Sequence, residues 1–387
     1  MQNKIYNNLI AKTIFGLENI LADELKAIGA KQIKTANRAV YFAGNKELIY
    51  KANFYLRTAI CILVPIHTFR VNNEDDLYKQ VQEIDWSEIM NLDMTFAVES
   101  TVYSSIFKHT QYPALKVKDS IADQFRKKTN KRPNVNTLNP DILINVHISE
   151  NTCTISLNSS GEPLFKRGYR TATQEAPLNE ILAAGLLYLS GWKPEQNLID
   201  PMCGSGTILI EAALMANNIP PGACRKKFGF NNWPDFDKEL FKQIIQFQDT
   251  LNSTQSKGRI IGADISKNAI SIAKENIINA QLQNVIELNV CEFNSFIPPV
   301  EAGVIISNPP YGERLKQEDI IEFYKEIGNN LKNKFSNFDA WILSANLNAM
   351  KFIGLHPSKK IKLMNAALEC TFNKFEIYQG SKKNYRN

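Results

Sequence analysis

The sequence L-I-D-P-M-C-G-S-G-T at residues 198–207 decides the fold of the second half of the chain. It predicts a short apolar strand that ends at Asp200, followed by a turn with Gly204 and Gly206 that opens a helix. Glycines let the backbone approach a ligand closely, and α/β sheets bind ligands at the carboxyl edge of their strands. Because Leu209 stands where a dinucleotide-binding turn has its third glycine, and no G-K-[ST] follows, the turn predicts a ligand other than a nucleotide phosphate.

Helical and strand-like patterns alternate on both sides of this turn, from Leu178 onward. Strands are predicted at 197–200, 259–264, 285–290, 303–307 and 338–345. Helices are predicted at 178–190, 206–216, 266–280 and 318–333. Apolar strands that alternate with helices indicate β-α-β crossovers and a doubly wound, mostly parallel sheet.

Two further strands in this region end in polar residues. The sequence I-I-G-A-D-I-S at 260–266 ends a strand in Asp264, whose carboxylate could accept hydrogen bonds from both hydroxyls of a ribose. The sequence V-I-I-S-N-P-P-Y-G-E-R-L at 304–315 brings Asn308 to the same sheet edge. Its two prolines exclude a helix and remove N–H donors, so the Asn308 side chain and nearby carbonyls are suited to accept hydrogen bonds from a substrate amino group. Tyr311 offers a face on which a flipped-out base can stack.

Taken together, these motifs resemble the class I S-adenosylmethionine-dependent methyltransferases that act on planar amino groups, whose fourth motif is [DNS]-P-P-[YFW]. K-R-G-Y-R at 166–170, A-P-L-N-E-I-L-A-A at 176–184, D-P-M-C-G-S-G-T and N-P-P-Y-G-E-R-L are similar to the THUMP-domain guanine-N2 RNA methyltransferases, and most similar to the bacterial 23S ribosomal RNA branch. The resemblance covers nearly the whole chain. It implies an α/β fold in which a Rossmann-like class I methyltransferase domain follows an α+β ferredoxin-like and THUMP RNA-binding region.

The resemblance also implies a cofactor and a site. We expect S-adenosylmethionine to be held by Asp200, Pro201, Cys203, Gly204, Ser205, Gly206, Thr207, Asp264, Ile265, Glu292 and Asn308. The expected catalytic residues are Asn308, Pro309, Pro310 and Tyr311. The family's third motif usually offers an acid for the adenine amino group. The corresponding strand here ends N-V-C-E-F, so Glu292 is the candidate, with Cys291 beside it.

Three domains are expected: a ferredoxin-like α+β subdomain at 1–55, a THUMP-like RNA-binding domain at 56–158, and a methyltransferase domain at 159–387 with an insertion at about 215–258. Residues 108–132 hold eight Lys or Arg against two Asp, which accounts for the whole formal net charge of +6. A basic patch on an otherwise neutral chain is typical of a phosphate-backbone partner. The RNA-binding candidates are Lys116, Arg126, Lys127, Lys128, Lys131 and Arg132, and the alternative is a solvated helix face.

Several classes of protein are excluded by what the sequence lacks. Six cysteines without a C-x-x-C pair and four histidines without metal-ligand spacing predict no metal site. The longest apolar run, at residues 59–66, is less than half of what a membrane-spanning helix needs, and the first residues lack a secretory pattern. We therefore expect a cytoplasmic protein with no membrane partner.

The predicted activity is N2-methylation of a flipped-out guanine in RNA, with 23S ribosomal RNA or one of its assembly intermediates as the favoured substrate. Three alternatives stay open: a transfer RNA guanine, an N6-adenine target, and a non-catalytic RNA-binding factor for ribosome assembly. The oligomeric state and the modified nucleotide are not determined by the sequence.

Overall fold

The computed structural model describes residues 4–107, 109–170, 177–251, 258–311 and 317–378. The chain divides into two compact units. Unit 1 comprises Met1–Thr13, Leu21–Leu164 and Lys226–Phe247. Unit 2 comprises Ile14–Ile20, Phe165–Arg225 and Gln248–Asn387.

The first part of the chain has the β-α-β-β-α-β order of a ferredoxin-like fold. Its elements are β1 (Tyr6–Lys12), α1 (Glu18–Ala27), β2 (Lys31–Ala36), β3 (Ala39–Gly44), α2 (Lys46–Tyr55) and β4 (Cys61–Arg70). Side chains alternate between the two faces of a strand. Leu9 and Ala11 of β1 therefore join Leu21 and Leu25 of α1 in one buried core, whereas Ile10 and Lys12 lie on the opposite face of the strand.

The next segment extends the same sheet. It contains α3 (Glu74–Gln82), β5 (Thr95–Tyr103), α4 (Tyr112–Thr129), β6 (Asn134–Val135), β7 (Ile142–Ser149) and β8 (Thr152–Asn158). Strand β8 pairs antiparallel with β4 over most of its length. The described residues of unit 1 thus form one eight-stranded sheet in the order β2-β3-β1-β4-β8-β7-β5-β6. Helix α4 packs Val117, Ile121 and Phe125 into the core beneath β7.

Residues 226–247 belong to unit 1 and not to the methyltransferase unit, whereas the sequence pattern suggested an insertion within the methyltransferase domain. The reason is an aromatic cluster around α2, formed with the start of α7 (Lys238–Leu251). The Tyr50 and Phe230 rings lie 4.4 Å apart. The hydroxyl of Tyr50 accepts a hydrogen bond from the Asp237 amide at 3.0 Å, and the hydroxyl of Tyr55 donates to the Ile244 carbonyl at 3.1 Å.

Unit 2 has the predicted alternation of strands and helices. Its elements are α5 (Glu180–Ser190), β9 (Leu198–Asp200), α6 (Thr207–Ala216), β10 (Ile260–Asp264), α8 (Lys267–Asn279), β11 (Ile286–Val290), β12 (Gly303–Ser307), α9 (Gln317–Lys334), β13 (Phe338–Ser344), β14 (Lys359–Asn365) and β15 (Leu368–Glu376). Within the described ranges the sheet order is β11-β10-β9-β12-β13-β15-β14. Strands β9 to β13 run parallel, and β15 runs antiparallel to both its neighbours.

The site follows from the position of β9 in this sheet. Its chain successor β10 pairs on one side, and β12 pairs on the other. The strand order therefore reverses at β9, and a crevice opens beyond the carboxyl ends of these strands. Ile305 and Ile306 of β12 are both completely buried although they point to opposite faces, as expected of a parallel strand covered on both sides.

In the part of the chain that the structure describes, no helix combines the length and apolar content needed to cross a membrane. The same residues contain no group of three His, Cys, Asp or Glu side chains arranged to hold a metal ion.

Candidate active site

A cavity of about 560 Å³ lies at the carboxyl ends of β9, β10 and β12. This volume is within the range of about 300 to 1,000 Å³ that is typical of pockets for cofactors and small ligands. It is lined by most of the predicted cofactor residues: Asp200, Pro201, Cys203, Gly204, Ser205, Thr207, Asp264, Ile265, Glu292 and Asn308. The structure therefore brings together residues from four separate stretches of the sequence.

Gly206 is the predicted cofactor residue that does not line the cavity. It caps the N-terminus of α6 in a left-handed conformation, with φ of 80°, which is a region that favours glycine. A Cβ at this position would lie 3.2 Å from the Cβ of Ala273 on α8. Gly206 therefore serves the close approach of the turn to α8.

The carboxylate of Asp264 holds the glycine turn. One oxygen accepts a hydrogen bond from the amide of Gly204 at 2.9 Å, and the other accepts from the amide of Ser266 at 2.9 Å. Each carboxylate oxygen can accept a second hydrogen bond, so the side chain keeps acceptor capacity on the cavity side. Ile265, which follows it, is exposed at the cavity wall.

Asp200 is the most deeply buried acid of the site, with 2% of its surface exposed. It accepts hydrogen bonds from the Ser307 hydroxyl at 2.9 Å and from the Met202 amide at 3.2 Å. Burial, with a smaller contribution from the nearby Asp264 carboxylate, raises the pKa of Asp200 to about 7, although both hydrogen bonds oppose the shift. Asp200 thus changes charge near neutral pH.

Asn308 and Tyr311 form a pair at the end of β12. Asn308 and Pro310 line the cavity, whereas Pro309 and Tyr311 are outside its lining. The Tyr311 hydroxyl donates a hydrogen bond to Oδ1 of Asn308. Burial raises the pKa of Tyr311 well above its usual value, so the hydroxyl retains its proton and acts as the donor. Residues 312–316, which complete the predicted motif, lie outside the described residues.

The side chains of Asn346 and Asn365 contact Tyr311, and the sequence did not predict these contacts. Its backbone carbonyl accepts a hydrogen bond from the Asn346 side chain at 3.1 Å, and Nδ2 of Asn365 lies 3.5 Å from its hydroxyl. These contacts orient the phenol toward Asn308. Base stacking on Tyr311 stays a prediction, and the contact that its hydroxyl makes is the hydrogen bond to the Asn308 amide oxygen.

Glu292 follows β11 and lines the cavity, and Cys291 is outside the lining. Sequence reasoning missed several other lining residues: Pro177, Leu178, Met202, Ile208, Phe293, Asn294, Phe323 and Glu326. Phe323 and Glu326 are three positions apart on α9, a spacing that places both on one helix face. That spacing was the available signal, but it does not reveal which helix face meets the cavity.

The segment K-R-G-Y-R at 166–170 braces the glycine turn. Arg170 donates hydrogen bonds to the hydroxyls of Thr207 at 2.9 Å and Ser205 at 3.3 Å, and pairs with Glu180 at 2.9 Å. The sequence pattern indicated the family of this segment but no role for its residues. Gly168 between the arginines has φ of 102°, and a Cβ there would lie 2.3 Å from the carbonyl oxygen of Cys224.

Three of the six predicted RNA-binding cations form ion pairs with acidic side chains. Ion pairs hold Lys116 to Asp75 at 3.6 Å, Arg126 to Asp123 at 3.0 Å, and Lys128 to Asp85 at 2.7 Å. The pKa of Asp85 falls to about 2, chiefly because Lys128 and Ser87 donate hydrogen bonds to it. The remaining three candidates, Lys127, Lys131 and Arg132, are exposed. RNA binding by these six residues stays a prediction.

The sheet order, the cavity at the carboxyl edge and the N-P-P-Y strand define a class I methyltransferase, and the predicted fold class is confirmed. Family models identify the chain further: residues 167–374 match the RMKL-like methyltransferase domain, residues 71–158 the THUMP domain, and residues 8–63 the RlmL ferredoxin-like domain. The chain belongs to the RMKL-like methyltransferase family. It is an RNA methyltransferase homologue with S-adenosylmethionine as the cofactor of its class, as predicted.

Three similar proteins illustrate this relationship. The protein slr0064 of Synechocystis sp., an RNA methyltransferase by name, is 39% identical over 94% of this chain and 95% of its own length. The ribosomal RNA large subunit methyltransferase K/L of Shewanella frigidimarina is 39% identical over 97% of this chain, but the match spans only 53% of that longer protein. The crystal structure of SMU.472 complexed with SAH is 29% identical, covers 98% of this chain and 100% of its own, and has a TM-score of 0.86.

Proposed function

We propose that this protein methylates the exocyclic N2 amino group of a guanine in RNA, with S-adenosylmethionine as methyl donor and large-subunit ribosomal RNA as substrate. The observation that carries the proposal is the Asn308 amide, which lines the cavity while Tyr311 holds its oxygen in place. An amide oxygen fixed in this way is suited to accept a hydrogen bond from a planar amino group. The name of the Shewanella relative supports ribosomal RNA as the substrate.

The residues of the cavity fit the cofactor. The Asp264 carboxylate has acceptor capacity for ribose hydroxyls beyond its two amide contacts. Glu292 provides a second carboxylate for an adenine amino group, and Phe293 and Ile265 provide apolar contact for the ring. When bound, S-adenosylmethionine supplies an electrophilic methyl group.

The chain's own part in the reaction is to position the amino nitrogen. The lone pair of a guanine N2 is delocalised into the ring, which makes the nitrogen planar and weakly nucleophilic. An acceptor that forms a hydrogen bond with an N2–H group favours a pyramidal nitrogen, whose lone pair is more available for the reaction. The Asn308 oxygen can accept from Tyr311 and from the substrate at once, because a carbonyl oxygen has two lone pairs. As the nitrogen becomes positively charged, this contact strengthens, which lowers the barrier through preorganised electrostatics. The proton then leaves to solvent, so no strong base is required.

A guanine within an RNA helix cannot reach this concave site. The base must be unpaired or flipped out of its stack. A ribosomal RNA substrate would also locate the enzyme in the cytoplasm.

The proposal is tested by incubating the purified protein and isotopically labelled S-adenosylmethionine with unmodified 23S ribosomal RNA, and in parallel with unmodified transfer RNA. Mass spectrometry of the nucleosides should detect labelled N2-methylguanosine from the ribosomal RNA. Asn308→Ala is the matched control. If the label appeared in transfer RNA, transfer RNA would take the place of ribosomal RNA as the substrate. If the labelled nucleoside were N6-methyladenosine, adenine would take the place of guanine as the target base. Absence of product despite cofactor binding would favour a non-catalytic assembly factor.

A further inference from the structure

An ion pair between Arg170 and Glu180 lies behind the glycine turn of unit 2. The two side chains are only 13% and 7% exposed, and Nε of Arg170 donates a hydrogen bond to Oε1 of Glu180 at 2.9 Å. Arg170 does not line the cavity, but its guanidinium group reaches two residues that do, Ser205 and Thr207. A buried cation is costly unless its donors are satisfied. Its place directly behind the cavity wall indicates a role in binding.

The ion pair fixes the plane of the guanidinium group. Because Nε is bound to Glu180, the two terminal nitrogens face the turn. Nη1 donates to Oγ of Ser205 at 3.3 Å, and Nη2 donates to Oγ1 of Thr207 at 2.9 Å. Nη2 also donates to the carbonyl oxygen of Leu178 at 3.4 Å. The planar fork of donors is rigid, so one side chain holds both hydroxyl oxygens in place.

Arginine can only donate hydrogen bonds, and this decides how the two hydroxyl groups can act. Both hydroxyl oxygens accept from Arg170, so their own hydrogens can be donated elsewhere. The oxygens of Ser205 and Thr207 lie 3.4 Å apart, which allows one hydroxyl to donate to the other. The hydrogen that then remains has no acceptor among the described residues. At least one hydroxyl donor is therefore available to a ligand in the cavity.

The charges on the cavity wall indicate what this donor would bind. In the part of the chain that the structure describes, the lining contains no Lys or Arg and four acids: Asp200, Asp264, Glu292 and Glu326. Acids suit the sulfonium and ammonium groups of S-adenosylmethionine, but they repel its carboxylate. Thr207 is the first residue of α6, whose N-terminal amides favour anions as Arg170 does. The corner formed by Ser205 and Thr207 is therefore the part of the wall that suits an anion.

The order of the strands leads to the same corner. The ribose is proposed at Asp264 of β10, and the target amino group at Asn308 of β12. The glycine turn follows β9, which lies between these two strands. In S-adenosylmethionine the sulfonium joins the ribose to the amino-acid end. A cofactor with its ribose at Asp264 and its methyl group near Asn308 can therefore extend its amino-acid end along the turn.

We propose that Arg170 is a positioning residue, which fixes the hydroxyls of Ser205 and Thr207 as donors to the carboxylate of S-adenosylmethionine. Glu180 holds Arg170 in this orientation from outside the cavity. The proposal rests on the proposed placement of the ribose at Asp264, and it is independent of the target base. If Arg170 only braced the turn, its loss would weaken the binding of every part of the cofactor alike.

The test compares two ligands by calorimetric titration of the full-length protein. S-adenosylhomocysteine carries the amino-acid end, whereas 5′-methylthioadenosine keeps the adenine, the ribose and the sulfur but lacks that end. Arg170→Met keeps the length and apolar stem of the side chain. It should lower the affinity for S-adenosylhomocysteine by about tenfold or more, the usual effect of losing a hydrogen bond to a charged group. The affinity for 5′-methylthioadenosine should be nearly unchanged, and equal losses for the two ligands would overturn the proposal.

Thr207→Val keeps the shape of the side chain and removes the hydroxyl, so it tests the same contact with less risk to folding. It should reproduce the selective loss. The double variant with Arg170→Met should lose less than the two single losses combined, because both changes remove one contact. Asn276→Ala is the matched control, since Nδ2 of Asn276 donates to the Ser205 carbonyl at 3.3 Å and holds the same turn through its main chain. The control should weaken both ligands alike. Additive losses in the double variant, or a selective loss in the control, would contradict the proposal.

Asp264→Ala distinguishes a failure of this proposal from a failure of the proposed ribose placement, because it should weaken both ligands. If it weakens both while Arg170→Met and Thr207→Val show no selective loss, the assignment of Arg170 fails and the ribose placement stands. If it weakens neither ligand, the ribose placement fails and the assignment of Arg170 fails with it. These titrations contain no RNA, so the identity of the methylated base does not affect their outcome.

Discussion

The side chain of Asp264 accepts a hydrogen bond from the backbone amide of Gly204 at 2.9 Å, across 60 residues of sequence. The acid at the end of β10 therefore fixes the turn that follows β9, and the two halves of the proposed cofactor site are mechanically joined. Loss of this carboxylate would remove the proposed contact with the cofactor ribose and loosen the turn at the same time.

We accordingly expect Asp264→Ala to weaken S-adenosylmethionine binding by about 1.5 to 3 kcal/mol, the range for a hydrogen bond to a charged group. RNA affinity should be nearly unchanged, because it depends on contacts elsewhere. Calorimetric titration of the cofactor measures the first effect. Asp264→Asn removes the charge and keeps one acceptor oxygen, which can serve the Gly204 amide or the Ser266 amide but not both, so it should weaken cofactor binding and loosen part of the turn. Equal cofactor affinity in the alanine variant would remove Asp264 from the site.

Asn308→Ala should lower the single-turnover rate by about 10²- to 10³-fold, as is typical when one preorganised group is removed. Cofactor and RNA binding should largely survive, because the contact gains most in the transition state. Asn308→Asp should retain more activity than alanine. Tyr311→Phe keeps the ring and removes the hydroxyl, so it should lower kcat with little change in KM. If Asn308→Ala gave a less stable but fully active enzyme, Asn308 would be a turn residue without a catalytic role.

Asp200 should make the stability of unit 2 depend on pH. Its pKa is about 7 in the folded protein and 3.8 in an unperturbed chain, so the folded state binds the proton more tightly. Stability should therefore fall as the pH rises from about 4 to 7. Asp200→Asn should remove this dependence, and its melting temperature should exceed that of the wild type most clearly above pH 7. Ser307→Ala removes a bond that favours the charged form and should extend the fall to higher pH. A constant difference between Asp200→Asn and wild type from pH 5 to 9 would contradict the assignment.

Joint replacement of Arg126, Lys127 and Lys128 by glutamine should lower RNA affinity without affecting S-adenosylmethionine binding. For single-stranded RNA, the log–log salt slope decreases by about 0.7 for each phosphate that the protein no longer neutralises. Lys127 has no ion-pair partner among the described residues, whereas Asp85 holds Lys128. Lys127→Gln alone should therefore weaken binding more than Lys128→Gln. An unchanged slope in the triple variant would identify this face as ordinary solvated surface.

The strands of unit 2 could be predicted because they are continuous apolar runs that end in Asp200, Asp264 and Asn308. Parallel strands buried on both faces have this pattern, and their polar ends meet at one edge for topological reasons. The hairpin of β14 and β15 was not predicted as strands. Its lysine-rich sequence contains no continuous apolar run, because the lysines of β14 are exposed and only a few residues, such as the fully buried Leu363, point inward.

The parts of the site that escaped prediction depend on tertiary geometry. Phe323 and Glu326 reach the cavity because of the way α9 crosses the sheet, which a local pattern does not encode. The hydroxyl contact of Tyr311 with Asn308 depends on a phenol buried against Asn365 of the unpredicted β14. Arg170 lies in a family motif, but the motif does not indicate which residues it contacts. Its hydrogen bonds to Ser205 and Thr207 form only when the glycine turn has folded.

The aromatic residues that complete the core around Tyr50 come from residues 228–241, which follow the first strand and helix of the methyltransferase sheet in the chain. During synthesis, at about 5 to 20 residues per second, the N-terminal unit must wait several seconds after its own last strand before that core can close. Unit 1 can therefore be completed only after the first strand and helix of unit 2 have been synthesised, and before the remaining strands of unit 2 follow. A fragment that stops at residue 164 would lack the aromatic residues that pack against α2 and would expose that helix to solvent. If the two units were expressed as separate polypeptides, residues 226–247 would have to be included with unit 1.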